Sequence, residues 1–138
     1  MDGANGDVMN GARPQAAMWV ATAAGLEVVT GAGLVVAPSL LASLLFGSEM
    51  NASGDLVGRI SGLVMVCLAL GCWPRSLDGE DRQAIPPLLA LGLLATIYLR
   101  YVGTRGVNVG VLLWPAAVAH LILAIMLARA WMSRRTAG

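Results

Sequence analysis

The feature that most constrains this chain is the apolar run from Gly54 to Arg75, GDLVGRISGLVMVCLALGCWPR. A transmembrane helix needs about 20 consecutive, mostly apolar residues, because it rises 1.5 Å per residue and the hydrocarbon core of a bilayer is about 30 Å thick. The run has that length, with one arginine, Arg59, near its start. It therefore predicts a membrane-spanning helix that carries a charge in need of a partner.

The composition places most of the remaining chain in lipid as well. Of 138 residues, 57 % are hydrophobic and 12 % are charged, whereas soluble domains carry about 25 % charged residues. The net charge of +1 provides no basic surface for a nucleic acid. The lipid bilayer is the partner that this composition predicts.

The hydrophobic pattern predicts an all-α, four-transmembrane-helix bundle with a short interfacial helix after the first span. A single membrane domain is expected over residues 15–132, between a disordered N-terminal tail, 1–14, and a basic C-terminal tail, 133–138. The expected spans are about 15–37, 55–74, 84–101 and 107–131.

Prolines set several of these boundaries. Pro38 should end the first span, because the residue before a proline is pushed out of the helical region, and Ser39–Phe46 is then too short to cross. Pro86 and Pro87 fall in the first turn of the third span, where a missing amide donor does least harm. Pro115 would lie inside the fourth span and predicts a kink there.

The arginines predict an orientation. Cytoplasmic loops of membrane proteins carry an excess of Lys and Arg. With the N-terminus inside, the cytoplasmic side holds six arginines and the opposite side three, which are respectively Arg13, Arg75, Arg82, Arg129, Arg134 and Arg135, and Arg59, Arg100 and Arg105. Both termini are therefore expected to be cytoplasmic, in a multi-pass protein of the cytoplasmic (inner) membrane.

Small residues predict where the helices meet. Helices in lipid associate by close packing at small residues and by polar contacts. Gly58 and Gly62 form a GxxxG pair in the second span, and Gly106 and Gly110 form another at the expected start of the fourth. These four glycines are the predicted helix-packing positions.

Three ionisable residues, Glu27, Arg59 and His120, are predicted to face the bundle interior and form an intramembrane polar cluster. The favoured arrangement pairs Glu27 with Arg59 across the first two spans, with His120 as a hydrogen-bonded packing residue nearer the inner half. A depth error of a few residues would let His120 meet Glu27 instead. A cluster of all three could bind an anionic head group, a quinone carbonyl or a proton.

No pattern in the sequence predicts chemistry. There is no serine elbow, HExxH or CxxC, and Cys67 and Cys72 lie on different helix faces, so neither a catalytic residue, a metal site nor a cofactor is expected. Trp114 and Tyr98 are candidate lining residues of a ligand cleft. A packing site at a kink is the favoured interpretation of Trp114–Pro115.

Several segments resemble a known group of sequences. With the LLFG that follows Pro38, the run GRISGLVMVCLALGCWPR and the segment LLWPAAVAHLILA, the chain resembles small, uncharacterised four-helix membrane proteins of bacteria. More distantly it is similar to DoxX-type four-helix proteins, some of which are associated with quinone-linked redox complexes. The resemblance implies a bacterial inner-membrane protein and adds weight to Arg59, Trp114 and His120.

Together these features predict a non-enzymatic integral membrane protein. We expect an accessory, assembly or self-associating subunit, either a homo-oligomer or part of a larger membrane complex. The alternative is a small-molecule, lipid or quinone-binding carrier, or a redox-complex subunit, that uses Glu27, Arg59 and His120.

Overall fold

The chain folds into helices only, over the residues that can be described. A computed structural model describes residues 3–74, 83–105 and 109–135, with side chains described for 15–74, 83–105 and 109–133. Within those ranges there are five helices and no strand. They are α1 (Gly3–Val36), α2 (Pro38–Phe46), α3 (Ala52–Gly71), α4 (Ile85–Thr104) and α5 (Leu113–Arg135).

Four of these helices contain a segment long and apolar enough to cross a membrane. The segments are Gln15–Val36, Ala52–Gly71, Ile85–Thr104 and Leu113–Ser133. The predicted all-α fold, with four spans and a short helix after the first, is confirmed. We call the end of the molecule that carries α2 the α2 end.

Helix α1 begins at Gly3, before the predicted start of the first span at Gln15. Adding residues to an existing helix gains one backbone hydrogen bond each and needs no new nucleus. The backbone of 3–14 is therefore helical here, where a disordered tail was expected. The division into tails and a membrane domain stays a prediction.

The break between α1 and α2 lies at the predicted proline. Ala37 leaves the helical region, with φ −143° and ψ 66°, and Pro38 opens α2 at a position that needs no amide donor. Gly47 ends α2 in the left-handed conformation, with φ 68°, and its amide donates to the Ser43 carbonyl. The sequence thus dictates both ends of α2 locally.

Helix α3 begins earlier than predicted because a cap precedes it. The Asn51 side chain accepts a hydrogen bond of 2.8 Å from the Gly54 amide, so the helix begins at Ala52. Helix α4 begins close to the predicted residue and continues to Thr104, beyond the predicted 101.

Helix α5 begins at Leu113, which corrects the prediction of a span from 107. Pro115 therefore falls in the first turn of the helix, where a proline needs no kink. Gly110 lies before α5 rather than within it, and Gly106 lies outside the described residues. The Gly110 and Leu112 amides donate to the carbonyls of Leu45 and Leu44, at 3.0 and 2.9 Å. The start of α5 is later because residues 110–112 bind the open carbonyls at the end of α2.

The long helices pack as two pairs, α1 with α3 and α4 with α5. Helix α3 lies along α1 and α5 lies along α4, and the two pairs meet mainly where α1 contacts α5. The largest buried cluster joins α1, α3, α4 and α5 away from the α2 end; its members are Val20, Ala23, Ala24, Ala69, Cys72, Ala84, Ile85, Leu88 and Leu127. A second cluster, Leu99, Leu113 and Ala117, lies nearer the α2 end. Helix α1 is therefore the centre of the domain.

Two glycines set the register of α1 against α3. A Cβ atom on Gly31 would lie 2.7 Å from the Gly62 carbonyl oxygen, and one on Gly62 would meet the Gly31 carbonyl oxygen and, at 2.8 Å, Leu34 Cβ. The backbones touch at this point, as small residues in membrane helices allow. Gly58 lies one turn further toward the α2 end, where a Cβ would be 2.9 Å from Pro38 Cβ. Gly58 and Gly62 thus both lie at close helix contacts.

Candidate intramembrane polar site

Glu27 is the only charged residue buried in the described part of the chain. Its exposed fraction is 4 %, and it lies on the central helix α1, where neighbouring helices surround it. A charged side chain inside a bilayer costs at least about 2.5 kcal/mol on insertion scales, unless a partner offsets it. The partner of Glu27 therefore decides what this site can do.

That partner is His120 of α5. Glu27 Oε1 lies 3.6 Å from His120 Nε2, and the two side chains are 6 % and 12 % exposed. The other ring nitrogen, Nδ1, lies 2.7 Å from the Ala116 carbonyl oxygen one turn earlier in α5. The structure therefore brings Glu27 and His120 together, the alternative that the sequence had left open.

The late start of α5 explains why the two residues meet. A helix that begins at 113 rather than 107 moves His120 about 9 Å toward the α2 end, at 1.5 Å per residue. Counted from the α2 end, Glu27 is then about 14 Å into its span and His120 about 10 Å into its own. The two side chains can bridge so small a difference in depth.

Small residues let α4 approach the same point. A Cβ atom on Gly92 would be 3.6 Å both from Ala124 Cβ and from the His120 carbonyl oxygen. Helix α4 thus lies close to the α5 backbone beside the histidine. The approach of α4 thus helps to bury the Glu27–His120 pair between α1 and α5.

One oxygen of the pair has no partner. Among the described residues, none forms a hydrogen bond with Glu27 Oε2, which is buried. Nearly all buried polar atoms in proteins have at least one hydrogen-bond partner. Oε2 is therefore an acceptor that a water or another donor could use.

Arg59 lies elsewhere, which corrects the predicted Glu27–Arg59 pair. Its Nη1 donates a hydrogen bond of 2.6 Å to the Val35 carbonyl oxygen, near the end of α1. In antiparallel helices the residue numbers at one level have a constant sum, so the Gly31–Gly62 contact places Arg59 level with Leu34, and Val66 level with Glu27. Arg59 is thus about 10 Å from the level of Glu27 along the axis. The predicted three-residue cluster does not assemble.

Arg59 instead belongs to a set of contacts that we call the Arg59 network: Ser39, Asp55, Arg59 and the Val35 carbonyl. Ser39 Oγ donates to Asp55 Oδ1 at 2.6 Å, and Asp55 Oδ2 lies 3.9 Å from Arg59 Nη2. The last carbonyls of a helix lack intrahelical donors and carry partial negative charge. Arg59 therefore caps α1 from the neighbouring helix.

The Arg59 network was not predicted, although one feature of the sequence pointed to it. Asp55 and Arg59 are four residues apart on α3, a spacing at which side chains of opposite charge meet on a helix. The role of the Val35 carbonyl had no signal in the sequence, since a backbone acceptor has no residue type.

The aromatic candidates for a cleft lie on the surface. Tyr98 of α4 is 59 % exposed and Trp114 of α5 is 49 % exposed. A Cβ atom on Gly103 would lie 3.1 Å from Cζ2 of the Trp114 ring, so the indole covers α4 at that glycine. These contacts describe packing between α4 and α5.

A scan against protein-family models and searches of curated proteins and of solved structures each found no match. The class that fold and site define is a multi-pass helical membrane protein with one buried carboxyl–imidazole pair.

Proposed function

We propose that this protein is a non-enzymatic accessory or assembly subunit of the bacterial cytoplasmic membrane, with both termini in the cytoplasm, that works by self-association through the exposed face of α3. The relation to small bacterial four-helix membrane proteins is part of this proposal, and so is the more distant one to DoxX-type proteins. The proposal depends mainly on how little of α3 the rest of the domain covers.

Helix α3 is the least covered of the four spans. In its apolar window 17 % of the residues are buried, against 28 % for the window of α1. Within the described part of the chain, α3 packs along α1 and touches α2 near its beginning. Its opposite face is open to lipid or to another protein.

The open face carries a regular stripe. Ile60, Val64, Cys67 and Gly71 are exposed and follow one another at spacings of four, three and four residues, which place them on one side of a helix. Cys67 and Gly71 form a pair of small residues four apart, the pattern through which membrane helices approach closely. A Cβ atom on Gly71 would have no neighbour within 4 Å. The stripe therefore has room for a partner helix, and a second copy would present the same stripe about a two-fold axis.

The orientation rests on the positive-inside count. Arg59, Arg100 and Arg105 belong to the α2 end or its approach, whereas Arg129 lies toward the opposite end of α5. The lower arginine content of the α2 end supports placing it outside.

Cys67 provides the test, because a symmetric α3 dimer brings two copies of this thiol together. Mild oxidation of the protein in native-like lipid should give a disulfide-linked dimer, measured as the dimer fraction on a non-reducing gel. Cys67→Ser should abolish the cross-link. Cys72→Ser should leave it unchanged, because Cys72 is 6 % exposed and packs inside the largest buried cluster, away from the open face of α3.

Replacing Val64 by Trp should disrupt the stripe and lower the dimer fraction at least several-fold. Leu94→Trp is the matched control, since Leu94 is a similarly exposed residue on α4, 65 % exposed against 62 % for Val64. A monomer at every protein-to-lipid ratio, with no cross-link through Cys67, would reject self-association and leave lipid as the cover of this face.

A second candidate function is that of a carrier for a small molecule, lipid or quinone, or of a redox-complex subunit. The unpartnered Glu27 Oε2 favours it, because a bound hydrogen-bond donor would satisfy that atom. The separation of Arg59 from the pair limits such a site to Glu27 and His120. Native mass spectrometry after gentle extraction tests it: a bound small molecule lost in Glu27→Gln supports the carrier, and an empty protein rejects it.

A further inference from the structure

We propose that Glu27 and His120 form a proton-binding site inside the membrane domain, which holds one proton between Glu27 Oε1 and His120 Nε2. This inference is independent of the proposed self-association through α3. It rests on the geometry of the two hydrogen-bonding positions of the imidazole.

The Ala116 carbonyl fixes one hydrogen on His120 Nδ1. The Ala116 carbonyl oxygen, 2.7 Å from His120 Nδ1, can only accept a hydrogen bond. Nδ1 must therefore carry a hydrogen and donate it. In a neutral ring the other nitrogen, Nε2, is then a bare acceptor.

The second ring nitrogen, Nε2, faces a carboxyl oxygen. Its neighbour is Glu27 Oε1, 3.6 Å away in a site where both side chains are nearly buried. A bare Nε2 opposite a carboxylate would set two acceptors against each other where water cannot separate them, which is unfavourable in a medium of low dielectric. One added proton, on either atom, sets a donor opposite an acceptor and makes the pair neutral overall; the contact then becomes a hydrogen bond once the two side chains approach by a few tenths of an ångström.

Among the described residues of the four spans, no arginine takes the place of this proton. The charged groups in the described parts of the four spans, besides Glu27, are Asp55, Arg59, Arg100 and Arg129. Within the described residues none of the three arginines forms an ion pair with Glu27, and Arg59 is occupied at the α2 end. A proton is therefore the charge that neutralises the Glu27–His120 pair.

The unpartnered oxygen completes the site. Because Oε2 belongs to the same carboxyl group and has no hydrogen-bond partner among the described residues, a water or another donor that reaches it could deliver or remove the proton. One oxygen of this carboxyl group faces the imidazole, and the other has no partner among the described residues. A proton can therefore reach the site through the second oxygen.

The experiment counts protons on the two side chains directly. His120 is the only histidine of the sequence, so protein labelled with ¹⁵N-histidine and ¹³C-glutamate, carrying a histidine-free affinity tag, gives one pair of imidazole nitrogens. Solid-state NMR in lipid at neutral pH should show a protonated Nδ1. Besides that hydrogen, it should show one further proton between Glu27 and Nε2. This is either a carboxylic acid at Glu27 facing an accepting Nε2, or a carboxylate facing a protonated Nε2.

Glu27→Gln identifies the carboxyl signal and tests the link. In this variant one glutamate signal should disappear and the Nε2 signal should move, while Nδ1 stays protonated. Glu49→Gln, a change in the loop between α2 and α3, should remove another glutamate signal and leave both ring nitrogens unchanged.

Three results would overturn the proposal: a carboxylate beside a bare Nε2, a carboxylic acid beside a doubly protonated ring, or imidazole signals that change when a metal chelator is added. The unmodified protein decides among these states by itself, so the test stands even if a variant fails to fold. A failed Cys67 cross-link would leave this result unaffected.

Discussion

The Arg59 network and the Glu27–His120 pair are two solutions to the problem of a charge in an apolar helix. Arg59 lies near the end of the bundle with its side chain 49 % exposed, and it is directed to a backbone carbonyl and to Asp55. Glu27 lies at mid-span with its side chain 6 % exposed and a single imidazole as its partner. A long side chain near a helix end can reach water or an open carbonyl, whereas a short one at mid-span depends on what the next helix presents. We therefore expect the first arrangement to tolerate substitution and the second to be sensitive to it.

The largest effect is expected at the buried pair. Glu27→Ala should lower the free energy of unfolding by about 1–3 kcal/mol, because it leaves buried His120 Nε2 without its partner. Glu27→Gln should cost less, since an amide can donate to or accept from Nε2. Titration with a denaturing detergent, followed by circular dichroism, measures both. Glu49→Ala, at an exposed loop residue, is the control and should change little.

Equal losses for Glu27→Ala and Glu27→Gln would contradict a hydrogen bond at Nε2. Because glutamine keeps the shape of glutamate, equal losses would mean that Nε2 needs the carboxyl group itself and that no hydrogen-bonding side chain of the same shape can replace it.

An intermediate effect, below the upper value expected for Glu27→Ala, is expected at Gly110, which holds the α2 end together. A Cβ atom there would overlap the Leu44 carbonyl, so Gly110→Ala must displace the segment that donates to the Leu44 and Leu45 carbonyls. Losing two hydrogen bonds of about 1 kcal/mol each predicts a loss of about 2 kcal/mol. Unfolding of the variant in detergent measures it.

Gly25→Ala is the matched control for this change. Gly25 lies within α1 and has nothing within 4 Å of its Cβ position, so alanine should stabilise the helix by up to about 1 kcal/mol. A gain in stability at both glycines would contradict the close contact of Gly110 with the carbonyls at the end of α2.

The smallest effect is expected at Arg59. Arg59→Met should lower the free energy of unfolding by less than about 1 kcal/mol, because water can replace an exposed donor at the Val35 carbonyl and screens the ion pair with Asp55. The loss should shrink further in high salt. Arg59→Lys keeps the charge, so its free energy of unfolding should lie between those of the unmodified protein and of Arg59→Met. A loss as large as that of Glu27→Ala would show that the Arg59 network is as isolated from water as the buried pair.

Hydrophobic length alone predicted the number of spans, and Pro38 predicted the break before α2, because both depend on local chain properties. The boundaries were less predictable. Asn51 capped α3 earlier than expected, and residues 110–112 bound the end of α2 instead of joining α5. The first of these is a local cap that the sequence carries, whereas the second depends on a contact between distant segments.

The candidate site shows the same division. The sequence by itself determined that Glu27, Arg59 and His120 are the ionisable residues whose placement matters, because few charges occur in the apolar segments. Only the tertiary structure decided which of them meet. The Gly31–Gly62 contact fixed α1 against α3 and placed Arg59 about 10 Å from the level of Glu27. The late start of α5 placed His120 close to the level of Glu27. Hydropathy does not encode an axial shift of a few residues, yet such a shift changes the partner of every buried charge.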